Sequence, residues 1–119
     1  MPMDLKSALA SPGMDGVDIG PLDVTKVFDP ESKVYENGER VWQEFGASAG
    51  SGKDQVKCYV RLWGCKDIGG VHGVQRGSVV VLKCVPSKKS PTKKVGVSVV
   101  EFNGKVKISC SELVQVEIL

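Results

Sequence analysis

Gln55-Val56-Lys57-Cys58-Tyr59-Val60-Arg61-Leu62-Trp63-Gly64-Cys65 is the stretch on which the reading of this chain turns. Val56, Cys58, Val60 and Leu62 alternate with Lys57, Tyr59, Arg61 and Trp63. Side chains along a strand point to opposite faces with a period of two, so one face is apolar and the other carries two cations and two aromatic rings. A Trp and a Tyr on the wet side add nothing to a core. They suit single-stranded nucleic acid, whose bases stack on rings while its phosphates seek Lys and Arg.

Downstream, residues 66–77 (KDIGGVHGVQRG) form a glycine-rich connection with Ile68, Val71 and Val74 at three-residue spacing. That spacing predicts one loose helical turn plugging the bottom of a barrel, although the glycines oppose a stable helix. His72 is expected on its solvent side. Residues 78–85 (SVVVLKCV) are a nearly continuous apolar run, as in a strand buried on both faces. Next comes PSKKSPTKK (86–94), which places Lys88, Lys89, Lys93 and Lys94 on a hairpin-length loop. These lysines read as an electrostatic arm for phosphates or, alternatively, as a merely solvated loop. Residues 95–102, an Asn103-Gly104 turn and residues 105–110 predict a hairpin with Val106, Ile108 and Cys110 inward. Residues 113–119 (LVQVEIL) offer a closing strand that could also lie on a neighbour.

Upstream, GASAGSGKD (46–54) superficially resembles a phosphate-cradling loop. A P-loop ending at Gly52-Lys53 would need glycine where Ala47 stands and Ser or Thr where Asp54 stands, so the segment is read as a flexible β-turn. Residues 40–45 (RVWQEF) predict a second strand, too short for its pattern to say which face Trp42 occupies, core packing being the commoner fate of a lone Trp and the surface the alternative. Residues 29–39 (DPESKVYENGE), with the turn signal Asn37-Gly38, are expected to be an exposed connection, and residues 22–28 (LDVTKVF) a first strand. Residues 1–20 hold too little apolar surface to offset the entropy of ordering them and are expected to be a flexible arm, leaving 21–119 as the domain.

The composition agrees with one small β domain. The chain has 119 residues, 41% of them hydrophobic, and 14 glycines that punctuate its valine runs. No stretch is apolar enough for a membrane span, and the acidic start is unlike a signal peptide. Residues 1–50 carry four Lys/Arg against nine Asp/Glu, whereas residues 51–119 carry twelve against five, which suggests a basic side facing a polyanion. Cys58, Cys65, Cys84 and Cys110 form no CxxC pair; Cys58 on an apolar strand face, Cys84 in a valine run and Cys110 in an alternating strand read as small buried hydrophobes, in a reducing compartment and not a secreted one. With one histidine, no metal-ligand spacing and no nucleophile beside a nameable base, neither an enzyme nor a cofactor is expected.

Five or six short strands with a helical plug between the third and fourth predict an all-β fold, the five-stranded Greek-key OB barrel. Residues 22–112 resemble the single-strand-binding OB domains of the replication protein A family. The likeness is carried by Leu62-Trp63-Gly64 at the end of the third strand, Arg76-Gly77-Ser78-Val79-Val80 at the start of the fourth, and residues 27–38 (VFDPESKVYENG). It departs from that family in the long turn at 46–54 and in having lysines where relatives often place an aromatic between the fourth and fifth strands. The resemblance implies that Trp63 stacks on a base. It also implies single-stranded DNA as ligand, with RNA possible, and partner subunits in a replication, repair or telomere-type complex. The expected location is then nuclear, or cytoplasmic and nucleoid in a prokaryote. Combined with the alternation, the expected binding residues are Lys57, Tyr59, Arg61, Trp63, Lys88, Lys89, Lys93 and Lys94. The alternative is an OB subunit that assembles with protein through the same sheet.

Overall fold

A computed structural model describes residues 18–50, 55–83, 85–86, 94–95, 97–102, 105–110 and 114–119. In chain order these form β1 (Ile19–Val27), β2 (Glu31–Tyr35), β3 (Gly38–Ala49), β4 (Val56–Trp63), the short helix α1 (Ile68–His72), β5 (Val79–Lys83), β6 (Val85–Pro86), β7 (Lys94–Val95), β8 (Val97–Phe102), β9 (Lys105–Cys110) and β10 (Gln115–Ile118).

The alternation in β4 sets the architecture. Cys58, Val60 and Leu62 are buried, whereas Lys57 and Tyr59 are exposed. Its antiparallel partner β3 repeats the pattern with Phe45, Ala47 and Ala49 inward. The small residues from Gly46 to Ala49, expected in a turn, therefore continue the strand; residues 51–54 lie outside the described residues. Pairing with β1 on one side and β4 on the other holds the small residues in the sheet. A Cβ at Gly46 would stand 3.2 Å from Thr25 Oγ1.

The main sheet runs in the order β10-β5-β1-β3-β4-β9-β8, with β2 added beside β3 and a separate β6-β7 ribbon. Every pairing is antiparallel except β4 with β9, which is parallel. Among the described residues the sheet has eight strands and is open, where a closed barrel of five was expected. The tight β8–β9 hairpin sets β9 against β4 and leaves β8 on the far side, while β10 occupies the free edge of β5. The terminal strand thus belongs to this sheet. Two further boundaries shift. β1 begins at Ile19, fully buried opposite Leu82, and the supposed connection 29–39 contains β2, paired with β3 across the Asn37-Gly38 turn. Residues 1–17 of the expected arm lie outside the described residues.

Phe45, Ile19, Leu22, Ile68, Leu82 and Ile108 fill the core. Ile68 and Val74 form the plug, but Val71 points to solvent, so only two members of that triplet pack inward. Asp67 caps α1 by accepting from the Gly70 amide at 2.8 Å, and Gly73 ends it in the left-handed region. Buried Gln43 fastens this end of the molecule. Its Nε2 donates to the Phe28 carbonyl at 2.9 Å, and its Oε1 accepts from the Ile68 amide at 2.7 Å. Cys58, Cys65 and Cys110 are buried, and burial pushes the Cys58 thiol up to about 12, far from reactivity. Cys84 lies outside the described residues. No helix among the described residues is long and apolar enough to cross a membrane.

Candidate nucleic-acid interface

Residues directly opposite in an antiparallel pair share a face. The register Trp42↔Trp63, Glu44↔Arg61, Gly46↔Tyr59 and Ser48↔Lys57 therefore gathers these positions on the outer side of β3 and β4. At the centre, Arg61 Nε donates to Glu44 Oε1 at 2.7 Å. Its guanidinium carbon lies 4.8 Å from the Trp42 ring centroid and 5.1 Å from that of Trp63. The two indoles are 5.1 Å apart and tilted by 52°. Trp63 is held from the side by β9, its Nε1 donating to Ser109 Oγ at 3.0 Å.

Trp42 is buried, the commoner fate of a lone Trp, but on the outer side of the sheet. It is only 8% exposed, yet it lies outside the main core cluster. It is covered on the outer face by Trp63 and Arg61, and its Nε1 donates to Glu31 Oε2 of β2 at 3.1 Å. The reason is parity: with Phe45, Ala47 and Ala49 turned inward along β3, position 42 must turn outward.

Toward the other end, Tyr59 stands opposite side-chain-free Gly46, 43% exposed, with its ring 6.2 Å from that of Phe28. Lys26 Nζ sits 4.9 Å from the Phe28 centroid. A bulge between Val24 and Lys26 makes this possible, because the extra residue returns Val27 to the Phe45 side and turns Lys26 outward opposite Gly46. The parallel neighbour β9 adds Lys107 beside Tyr59 and Ser109 beside Arg61, and Lys105 and Lys107 are exposed. On the hairpin side, Lys33 Nζ lies 5.3 Å from the Tyr35 centroid and the Arg40 guanidinium 5.8 Å from that of Trp63.

Exposed cation–ring contacts contribute about 0.5–1 kcal/mol each. The Glu44–Arg61 pair, with side chains 26% and 35% exposed, belongs with surface ion pairs, at about 0–1 kcal/mol. A base stacking on a ring gains about 1–3 kcal/mol. The strongest interaction open to this face is therefore one that a ligand would supply, and Arg61 can exchange a carboxylate for a phosphate at small cost.

Lys57, Tyr59, Arg61 and Trp63 thus come together as the alternation requires. Lys88, Lys89 and Lys93 lie outside the described residues, as does the Lys94 side chain; the Lys94 backbone pairs with Pro86 in the β6-β7 ribbon. His72, expected on the solvent side, is half-buried in a cleft of about 170 Å³ lined also by Trp63, Cys65 and Lys66. Desolvation there lowers its imidazole pKa. No cluster of metal-ligating side chains occurs among the described residues. Sequence reasoning missed Trp42, Glu44, Phe28, Lys26, Arg40, Lys107 and Ser109. The signal for Trp42 was present: extending the alternation of Phe45 through Ala47 and Ala49 would have turned it outward.

No family model matches the chain, and no curated protein matches it. Its backbone path does have a counterpart among solved structures. The solution NMR structure of the OB domain of Ta0387 from Thermoplasma acidophilum aligns over 98% of this chain and 85% of that one, at 13% identity and a TM-score of 0.58. That likeness is one of fold: an open, mostly β, OB-type domain.

Proposed function

We propose that this is a non-catalytic domain for single-stranded nucleic acid, with DNA the preferred form, serving as a subunit of a larger DNA-handling assembly of the replication protein A type. The observation that carries this reading is the outer face of β3 and β4, where exposed Tyr59 and half-buried Trp63 stand among Lys57, Arg61, Lys107 and Lys26. Bases stack on Trp63 and Tyr59, and the cations neutralise phosphates. By charge alone, the lysines of the 86–94 segment add to the attraction for phosphates.

Both tryptophans of the protein belong to this face, so intrinsic fluorescence reports on it selectively. Titration with oligo-dT, oligo-rU and a duplex at two salt concentrations is expected to show quenching by single strands, tighter for dT, that weakens as salt rises. Absence of any change with oligo-dT at about 50 mM salt, where electrostatic binding is strongest, would overturn the reading.

A second reading, assembly with a protein partner, is favoured by the open sheet, whose terminal strands β8 and β10 each pair on one side only among the described residues. A native mass showing a monomer that binds oligo-dT unaided would remove it as the principal role.

A further inference from the structure

We propose that the bound strand runs lengthwise along β3 and β4 and that the β2–β3 hairpin supplies a third stacking subsite, at Tyr35, beyond Trp63 and Tyr59; this rests on the function proposed above. All five residues of β2 are exposed, so the strand contributes no side chain to the core, and a two-stranded ribbon is marginal on its own.

The register sorts its side chains. Glu31↔Trp42, Lys33↔Arg40 and Tyr35↔Gly38 put Lys33, Arg40 and Tyr35 on the side of the indoles, and Val34↔Glu39 puts a valine and an acid on the reverse. The cations thus lie on the ring side. The one carboxylate among them, Glu31, accepts from Trp42 Nε1.

Tyr35 also repeats the setting of Tyr59. Each tyrosine stands opposite a glycine of β3, Gly38 and Gly46 respectively, and each is about two-fifths exposed, at 42% and 43%. A Cβ at Gly38 would have nothing within 4 Å, so the space beside Tyr35 is open. An open cleft lies there, lined by Tyr35, Asn37, Gly38, Glu39 and Arg40. Between the two tyrosines are Trp63 and Arg61, with Arg40 over the Trp63 ring.

From Gly38 to Gly46 a strand advances about 27 Å at about 3.4 Å per residue, room for several nucleotides, within the site sizes of about 4–16 found for OB folds. A single strand lying along this line meets Tyr59, Trp63 and Tyr35 in turn. One crossing the sheet at Tyr59 would leave Tyr35 unused.

Two measurements on the full chain test this. Tyr35→Ala, at a position that adds nothing to the core, is expected to keep the wild-type melting temperature within about 2 °C and to weaken binding of a dT oligomer of about eight nucleotides by roughly tenfold. Iododeoxyuridine placed at one end of an oligomer of about six nucleotides should crosslink to Tyr35, and at the other end to Tyr59. Unchanged affinity of Tyr35→Ala, or both ends labelling Tyr59 alone, would overturn the lengthwise path while leaving the proposed function intact. Failure of the wild-type chain to bind any oligomer would overturn that function, and this inference with it.

Discussion

The two faces of the β3–β4 pair are made by different rules. Inside, Phe45, Ala47, Val60 and Leu62 are held by exclusion of water, a sum over apolar area in which no single partner matters much. Outside, the side chains are organised pair by pair: Arg61 on Glu44 and two indoles, Trp63 on Ser109, Lys26 on Phe28, Lys33 on Tyr35. Each outer contact is weak, so the face stays available to a ligand that can offer more. One pair of strands thus divides its labour, with stability on one side and, under the function proposed above, recognition on the other.

The division breaks most visibly if inner and outer substitutions have the same effects. The largest expected change is in Phe45→Ala: removal of a fully buried ring should cost about 3–5 kcal/mol, measured by urea unfolding. Gln43→Ala, which orphans the Phe28 carbonyl and the Ile68 amide, should cost about 1–3 kcal/mol in the same assay. Trp63→Ala should lower oligo-dT affinity by roughly tenfold or more, with a stability loss of only about 1 kcal/mol. If instead it unfolds the domain as Phe45→Ala does, the outer face is structural and the contrast between the faces fails. Glu44→Gln probes that contrast by the smallest step. With the carboxylate charge gone, Arg61 faces phosphate unopposed, so affinity should rise and the salt dependence steepen by about one unit of slope.

Much of the inner face was legible because period-two alternation is written residue by residue in 56–62 and 106–110, and both segments bury the expected side chains. The hairpin turn at Asn37-Gly38 was equally plain, but a turn signal does not tell whether the flanking residues pair. β2 has no apolar side to betray it. The bulge near Thr25 was invisible for a deeper reason. Counted without interruption from Leu22 and Val24, the alternation would bury Lys26; one extra residue reverses the parity and sends Lys26 to the wet side over Phe28. The small residues at 46–49 look like a loop because glycine and serine are common there, and only their pairing with β1 and β4 shows them to be strand. The central cluster depends on register between distant segments, which fixes that Trp42 meets Trp63 and that Glu44 meets Arg61.

The open sheet has a consequence in time. A closed barrel shields every strand with two neighbours, whereas here β10 hangs on β5 and β8 on β9. Strands held on one side can peel away without disturbing the part of β3 from Phe45 to Ser48, which is paired along both edges. Amide protons should then leave in two waves, early from β8 and β10 and late from β3 and β4. The face that bears Trp63 would keep its shape through openings that repeatedly release the margins.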